Sequence, residues 1–245
     1  MTTDYDPIAE QYKRSKQTPW RTDAECFTLL ETIGPVQGLG ALDVACGEGF
    51  YTRLLRHLGA ARMTGVDLSD GMVTLARKQE AESPLGIDYH VGDGRALVLP
   101  DQYDLVVAAY LLNYATTRQE LGAMCASIAR CLRPGGRFVT VNQNPALDFT
   151  TAPSYRRYGF ETTVVGEWRE GGPITWTFFL EDGSFSIENY YLPVSVHEEE
   201  LRRAGFRSVR WHRPRVSPEG EARHGSAFWE PFLVSPPITV IECVR

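Results

Sequence analysis

The 245-residue sequence has no apolar run able to cross a bilayer: the longest, Leu105 to Leu112, falls far short of the roughly 20 residues such a helix needs. No secretory leader is expected, since Met1 to Lys16 carries acids and bases from the fourth residue on and has no apolar core. A cytoplasmic protein is expected. Cysteines are sparse, the five being Cys26, Cys46, Cys125, Cys131 and Cys243, and no C-x-x-C spacing occurs. Neither a disulfide framework nor a metal site follows from them. Positive charge is also in short supply, with 25 Lys plus Arg against 31 Asp plus Glu and a net charge of −6. Without a basic stripe there is little to draw a nucleic acid. Repeats and low-complexity tracts are absent. What remains is an ordinary folding composition, 43% hydrophobic and 11% aromatic, expected to act on a small molecule as a monomer or weak dimer.

Short apolar runs alternate with helical patterns from Ala41 onward, the order of βαβ units around a parallel sheet. Strands are predicted at Gly40 to Ala45, Arg62 to Asp67, Ile87 to Val91, Tyr103 to Ala109 and Arg137 to Asn142. Helices are predicted from Phe50 to Leu58, from a Ser69/Asp70 cap, and through Leu121, Met124, Cys125, Ile128 and Leu132 to a stop at Pro134, Gly135 and Gly136. A leading helix places Cys26, Phe27, Leu30 and Ile33 on one face behind Thr22 and Asp23 as possible caps. Beyond Asn142 the chain becomes dense in aromatics, and alternation at Phe160 to Trp168, Pro173 to Leu180 and Ser184 to Leu192 predicts an antiparallel insertion over the sheet. Ser195 and Glu198 have the spacing of a capping box for a last helix. Final strands are expected at Phe206 to Trp211 and Ile238 to Cys243, with His212 to Pro237 as a long functional loop between them. The chain thus divides into an N-terminal lid (1–20), a core (40–142), the insertion (149–192) and a closing segment (195–245).

The core carries an ordered set of strand-end motifs. Asp43-Val44-Ala45-Cys46-Gly47-Glu48-Gly49-Phe50 is a strand, a turn of small residues and a helix start, where missing side chains admit a ligand to the backbone. Asp67 ends the next strand, suited to holding two ribose hydroxyls, and Asp93 in Gly92-Asp93-Gly94 ends the third, where its carboxylate can accept from an exocyclic amine. Asp43 either supports the loop or meets a cofactor amine. A dinucleotide fingerprint is excluded, because Thr52 stands where the third glycine of G-x-G-x-x-G belongs. Cys46 fits the turn as a small packing residue rather than a nucleophile.

This set resembles the class I S-adenosylmethionine-dependent methyltransferases over roughly residues 40 to 142. The resemblance implies a Rossmann-like α/β fold, a seven-stranded mostly parallel sheet with an antiparallel β insertion forming a substrate lid, and S-adenosyl-L-methionine as cofactor. It also implies that Ala45, Gly47 and Gly49 line the methionine part, Asp67 binds the ribose, and Asp93 with Gly94 meets the adenine. Tyr12, Asp43, Leu68, Met72 and Ala109 complete the expected cofactor set. Ala45 stands where the family's loop usually begins with glycine.

Tyr5-Asp6-Pro7-Ile8-Ala9-Glu10-Gln11-Tyr12, the block Ala45 to Arg53, and Ala109-Tyr110-Leu111-Leu112-Asn113-Tyr114-Ala115 together resemble the N-methyltransferases of toxoflavin biosynthesis. That implies methylation of ring nitrogen on a planar azapteridine. Methyl transfer from a sulfonium needs alignment and exclusion of water more than acid–base machinery. Aromatic faces serve both needs. Tyr5, Trp20, Tyr110, Asn113, Tyr114, Asn142, Trp176 and Tyr191 are the expected substrate residues, about half of the insertion's rings forming its own core. Tyr110, Asn113, Asn142 and His224 are the positioning candidates, with no certain catalytic residue and no metal. Asn144 lies at the same sheet edge, whereas His57 and His90 read as peripheral, His197 sits in the capping box and His212 flanks the long loop, each with a surface role expected. The other readings are an O- or C-methyltransferase of small molecules and a non-catalytic S-adenosylmethionine-binding protein.

Overall fold

The computed structural model describes residue 11, residues 14–100 and residues 102–245. Tyr5, Tyr12 and most of the expected lid lie outside the described residues.

Among the described residues, ten strands form two sheets. Five that run parallel come first: β1 (Gly40–Val44), β2 (Arg62–Asp67), β3 (Ile87–Val91), β4 (Tyr103–Ala109) and β5 (Leu132–Gln143). With β9 (Ser208–His212) and β10 (Ile238–Val244) they make a seven-stranded sheet ordered β3-β2-β1-β4-β5-β10-β9. β10 enters antiparallel between β5 and β9. The order reverses between β1 and β4, which opens a crevice at the carboxyl ends of the strands. The second sheet is the insertion, three antiparallel strands β6 (Phe160–Val164), β7 (Pro173–Leu180) and β8 (Gly183–Tyr190).

Alternation along the strands divides the core into two layers. Ala41, Leu105, Val107, Val139, Val141 and Val240 face the leading helix and the insertion. Leu42, Val44, Val106, Ala108, Phe138 and Ile241 face α4 (Arg118–Cys131) and α5 (Val194–Arg203). The first layer also receives α2 (Phe50–His57) and α3 (Asp70–Glu82) through Leu55, Met72, Val73 and Ala76. Ser69 caps α3, its Oγ accepting from the Met72 N–H at 3.1 Å. No helix among the described residues is long and apolar enough to cross a membrane.

Several sequence expectations require correction. The leading helix starts before Thr22 and Asp23: a π-helical segment Trp20–Cys26 runs directly into α1 (Phe27–Ile33), so both residues are interior and neither caps. Its deepest residues are Trp20, Ala24, Leu29 and Ile33, while Cys26, Phe27 and Leu30 are only half-buried. Seven consecutive π-type residues rotate the face that a 3.6-residue period selects. α4 ends at Cys131 and β5 follows at Leu132, with Pro134 and Gly135 inside an irregular strand start. α5 is opened by Pro193 without a side-chain cap, so Ser195 and Glu198 do not form a capping box; Glu198 accepts instead from Trp211 Nε1 and Arg202. His197 is buried rather than on the surface as expected, and burial lowers its basicity. The expected long loop contains α6 (Pro218–His224) and α7 (Ser226–Val234). Ser217 caps α6 by accepting from the Gly220 N–H at 3.0 Å, with Pro218 at the first helical position. β6 stops at Val164, short of Trp168.

Candidate functional site

The site begins where β1 leaves the sheet. Ala45, Gly47 and Gly49 all take left-handed backbone angles, φ +59°, +57° and +91°. Glycine accepts this region freely, whereas alanine pays a steric cost there. The two glycines serve different neighbours. A Cβ on Gly47 would meet only Lys16 Nζ, at 3.8 Å, so its outer side is open. A Cβ on Gly49 would lie 2.4 Å from Tyr89 Oη, so its smallness accommodates the tyrosine of β3. Cys46 is buried, and burial holds its thiol well above the ordinary value, which fits packing.

Acids stand at the carboxyl ends of three strands, and two of them, Asp43 and Asp67, converge on this loop. Asp43 is 1% exposed; its Oδ2 accepts from Thr52 Oγ1 at 2.6 Å, and its Oδ1 has no partner. Burial pushes its carboxyl up to about 7, against the pull of Thr52 and Lys16. Asp67 braces the loop, accepting from the Gly47 N–H at 2.7 Å and from the Ser69 N–H at 2.9 Å. Burial raises it, and those backbone donors lower it. Asp93 is gripped by Arg95, whose Nη2 donates at 2.7 Å and Nε at 3.0 Å, and this partner holds its carboxyl below the ordinary range. Gly94 is buried against Leu111, Leu68 is 53% exposed beyond Asp67, Met72 is buried beneath, and Ala109 is half-buried. Lys16 and Glu48 pair at 3.0 Å beside Gly47, a pair that sequence reading did not single out.

The far side of the crevice starts at Tyr110, the first residue past β4, with φ +64°. Its hydroxyl donates to Glu25 of the leading helix in a short bond. Tyr51 Oη donates to the other Glu25 oxygen at 2.7 Å, and Arg21 Nη1 donates to Glu25 at 3.1 Å. The Arg21 guanidinium lies 4.7 Å from the Trp20 ring, 5.1 Å from Tyr110 and 5.4 Å from Phe178. Trp20 and Tyr110 are therefore brought together. Arg21, Glu25 and Tyr51 were missed by sequence reading; their signal was an i,i+4 ion pair within an apolar helix.

The remaining expected residues have other partners. Asn142 Oδ1 accepts from the Leu112 N–H at 3.1 Å and its Nδ2 donates to Thr140, so it fixes the turn after β4. Asn113 Nδ2 donates to Asn189 of β8 at 2.8 Å, leaving its buried Oδ1 unpaired. Tyr114 is half-buried, and Asn144 donates to the Pro236 carbonyl. Trp176 is 2% exposed and stacked on Phe160 at 5.2 Å, while Tyr191 stacks on Trp168 at 4.0 Å. His224 sits apart, stacked on Phe228 at 4.7 Å with Nε2 3.9 Å from Asp23. Asp23 is two residues from both Arg21 and Glu25, on the opposite side of that helix. No cluster able to hold a metal ion occurs among the described residues.

Known proteins resemble this chain both in the loop and in its surroundings. Residues 41–136 match the family described as "Methyltransferase domain". Demethylmenaquinone methyltransferase of Symbiobacterium thermophilum is 30% identical over 223 residues, 82% of each chain. N-demethylindolmycin N-methyltransferase of Streptomyces griseus is 28% identical over 69% of each chain. The ubiquinone biosynthesis O-methyltransferase of Bordetella bronchiseptica is 34% identical over 121 residues, a match spanning 48% of that relative's length. The fold is shared with an S-adenosylmethionine-dependent methyltransferase from Mesorhizobium loti, with a TM-score of 0.66, 21% identity, and 94% of this chain and 100% of that one covered.

Proposed function

Because the chain belongs to the class I S-adenosylmethionine-dependent methyltransferases, we propose that it methylates a ring nitrogen of a planar heterocyclic small molecule, an azapteridine of the toxoflavin type. The observation that carries this reading is the wall of rings at the end of β4, where Trp20, Tyr110 and Phe178 surround Arg21. The three rings are buried around that guanidinium rather than open to solvent, and aromatic surroundings of this kind suit a flat acceptor.

The residues around the loop fit the cofactor. Gly47 is open on its outer side, and among the described residues each Asp67 oxygen accepts one bond, so both retain capacity for ribose hydroxyls. The unpaired Asp43 Oδ1 is a buried acceptor beside the loop. In this reading Ala45 and Gly47 with Asp43 hold the methionine part, Asp67 the ribose, and Leu68, Met72, Asp93, Gly94 and Ala109 the adenine side. Arg95 already occupies Asp93, so an adenine amine shares that carboxylate with it. Bound there, the cofactor supplies a methyl group on a sulfonium whose leaving group needs no protonation.

The chain's own contribution is then alignment and dryness. Tyr110 and Trp20 form one wall, Asn113 and Tyr114 the turn beside it, and the insertion (149–192) the cover. Asn142, Trp176 and Tyr191 serve from behind, through the turn and the stacked rings. An acidic ring N–H ionises in solution, and its anion attacks without a protein base. The acceptor is a cytoplasmic metabolite, and the working form is a monomer or weak dimer.

A substrate panel tests the assignment: a demethylated azapteridine, N-demethylindolmycin and a demethylmenaquinone analogue, followed by transfer of labelled methyl. Transfer to the azapteridine is expected. The demethylmenaquinone relative favours a second reading, methylation of a quinone, and transfer to the quinone alone overturns the nitrogen assignment. His224→Ala should lower kcat by far less than the roughly 100-fold expected of a general base.

A further inference from the structure

We propose that Glu25 is a positioning residue for methyl transfer, acting through Tyr110 and tying the turn after β4 to the helix that leaves the cofactor loop. This rests on the methyltransferase reading above. Glu25 is 1% exposed and lies on the leading helix, outside the stretch 41–136 that matches the family. One oxygen accepts from Tyr51, in the first turn of α2, whose N-terminal flank is Gly49. The other accepts from Tyr110. A single carboxylate therefore spans the two sides of the crevice.

Tyr110 has reason to need such a hold. A bulky residue in the left-handed region persists only where its surroundings over-determine it. Among its contacts, its N–H donates to the Val141 carbonyl at 2.8 Å, and its hydroxyl donates to Glu25. Hydrogen bonds to a buried carboxylate are charge-assisted and strong in dry surroundings. Arg21 supplies the counter-charge at 3.1 Å. Buried ion pairs of this kind add little net stability over apolar packing. What the arrangement provides is fixed geometry, and occupation of the loop beside Gly49 reaches Tyr110 through Tyr51 and Glu25.

The test uses Tyr110→Phe, which removes one hydroxyl and keeps the Arg21–Glu25–Tyr51 contacts, together with Glu25→Gln and the double variant. S-adenosylhomocysteine should slow amide exchange in the wild type at residues 47–53 and also at residues 110–114. In Tyr110→Phe the first protection stays within about twofold, and exchange at 110–114 is at least about fivefold faster than in the liganded wild type. On the acceptor found in the panel, kcat falls about tenfold while KM for S-adenosylmethionine stays within about twofold, and the double variant is no slower than Glu25→Gln. Protection at 110–114 retained in Tyr110→Phe, or kcat losses that multiply in the double variant, overturns the proposal. Should Glu25→Gln not fold, Tyr110→Phe decides alone. A wild type that fails to bind S-adenosylhomocysteine by calorimetry marks a failure of the cofactor reading. The Tyr110 amide without ligand then decides the role of Glu25: exchange at least about tenfold faster in the variants upholds it, and equal exchange overturns it.

Discussion

The loop ends of β1 to β3 and the aromatic block beyond β5 are held by different forces. At the loop ends, carboxylates grip backbone: Asp67 takes the Gly47 and Ser69 amides, and Asp93 takes that of Arg95. In the aromatic block, rings grip rings: Trp20, Tyr155, Trp176 and Phe178 all approach Phe160 within 4.8 to 6.2 Å. The first scheme sets angles and local charge, so an altered residue there changes what binds. The second buries area, so an altered residue there changes whether the region stands.

The sharpest way to break this contrast is to remove a ring from the block. Phe160→Ala deletes the fully buried ring that its neighbours share, and a loss of about 3–5 kcal/mol in unfolding free energy is expected by denaturant titration. A loss under about 1 kcal/mol would mean that the block does not depend on its stack. At the loop, Asp67→Ala should weaken S-adenosylhomocysteine binding at least tenfold by calorimetry, about 1.4 kcal/mol or more. An affinity within about twofold of wild type contradicts the ribose assignment.

Asp43 brings pH into the comparison. Its folded carboxyl titrates at about 7 while the unfolded one stays near the ordinary value, so the folded state binds that proton more tightly. The contribution is fully present below the unfolded value and is lost as pH rises through about 7. Asp43→Asn keeps an acceptor for Thr52 and carries no titration. Its melting temperature relative to wild type should rise between about pH 4.5 and about pH 8, and a constant difference rules out the buried carboxylate as cause. Ala45→Gly is the smallest effect: relief of about 1–2 kcal/mol of left-handed strain, less about 0.4–1 kcal/mol of added freedom in the unfolded chain. A rise of a few degrees in melting temperature is expected, and a fall would show the Ala45 methyl to be a packing contact.

The same division explains what was legible in the sequence. Strands β2, β3 and β4 lie at their predicted residues because each is a short segment with apolar residues at strand spacing, alternating in β3 and nearly continuous in β4, closed by a strand-end acid, glycine or aromatic. Ser69 reads directly as a cap, since its partner is three residues away. α6 also has a local signal, the cap-and-proline pair Ser217-Pro218, within the segment expected to be a loop. Glu25 was invisible for another reason: its partners Tyr51 and Tyr110 come from distant segments, and only the packing of the leading helix brings them together. Trp176 and Asn142 illustrate the converse, aromatic and amide types whose partners Phe160 and Leu112 turn them inward.

The position of β10 has a consequence in time. It pairs with β5 along Ile238 to Val244, yet follows β5 by roughly 95 residues, which at about 5–20 residues per second of synthesis is on the order of 5–20 s. Throughout that interval the outer edge of β5 offers an unpaired row of amides and carbonyls. The nascent chain must be kept from pairing with its neighbours on the polysome until β10 arrives, so the yield of folded protein should respond to the rate of translation between Gln143 and Ile238.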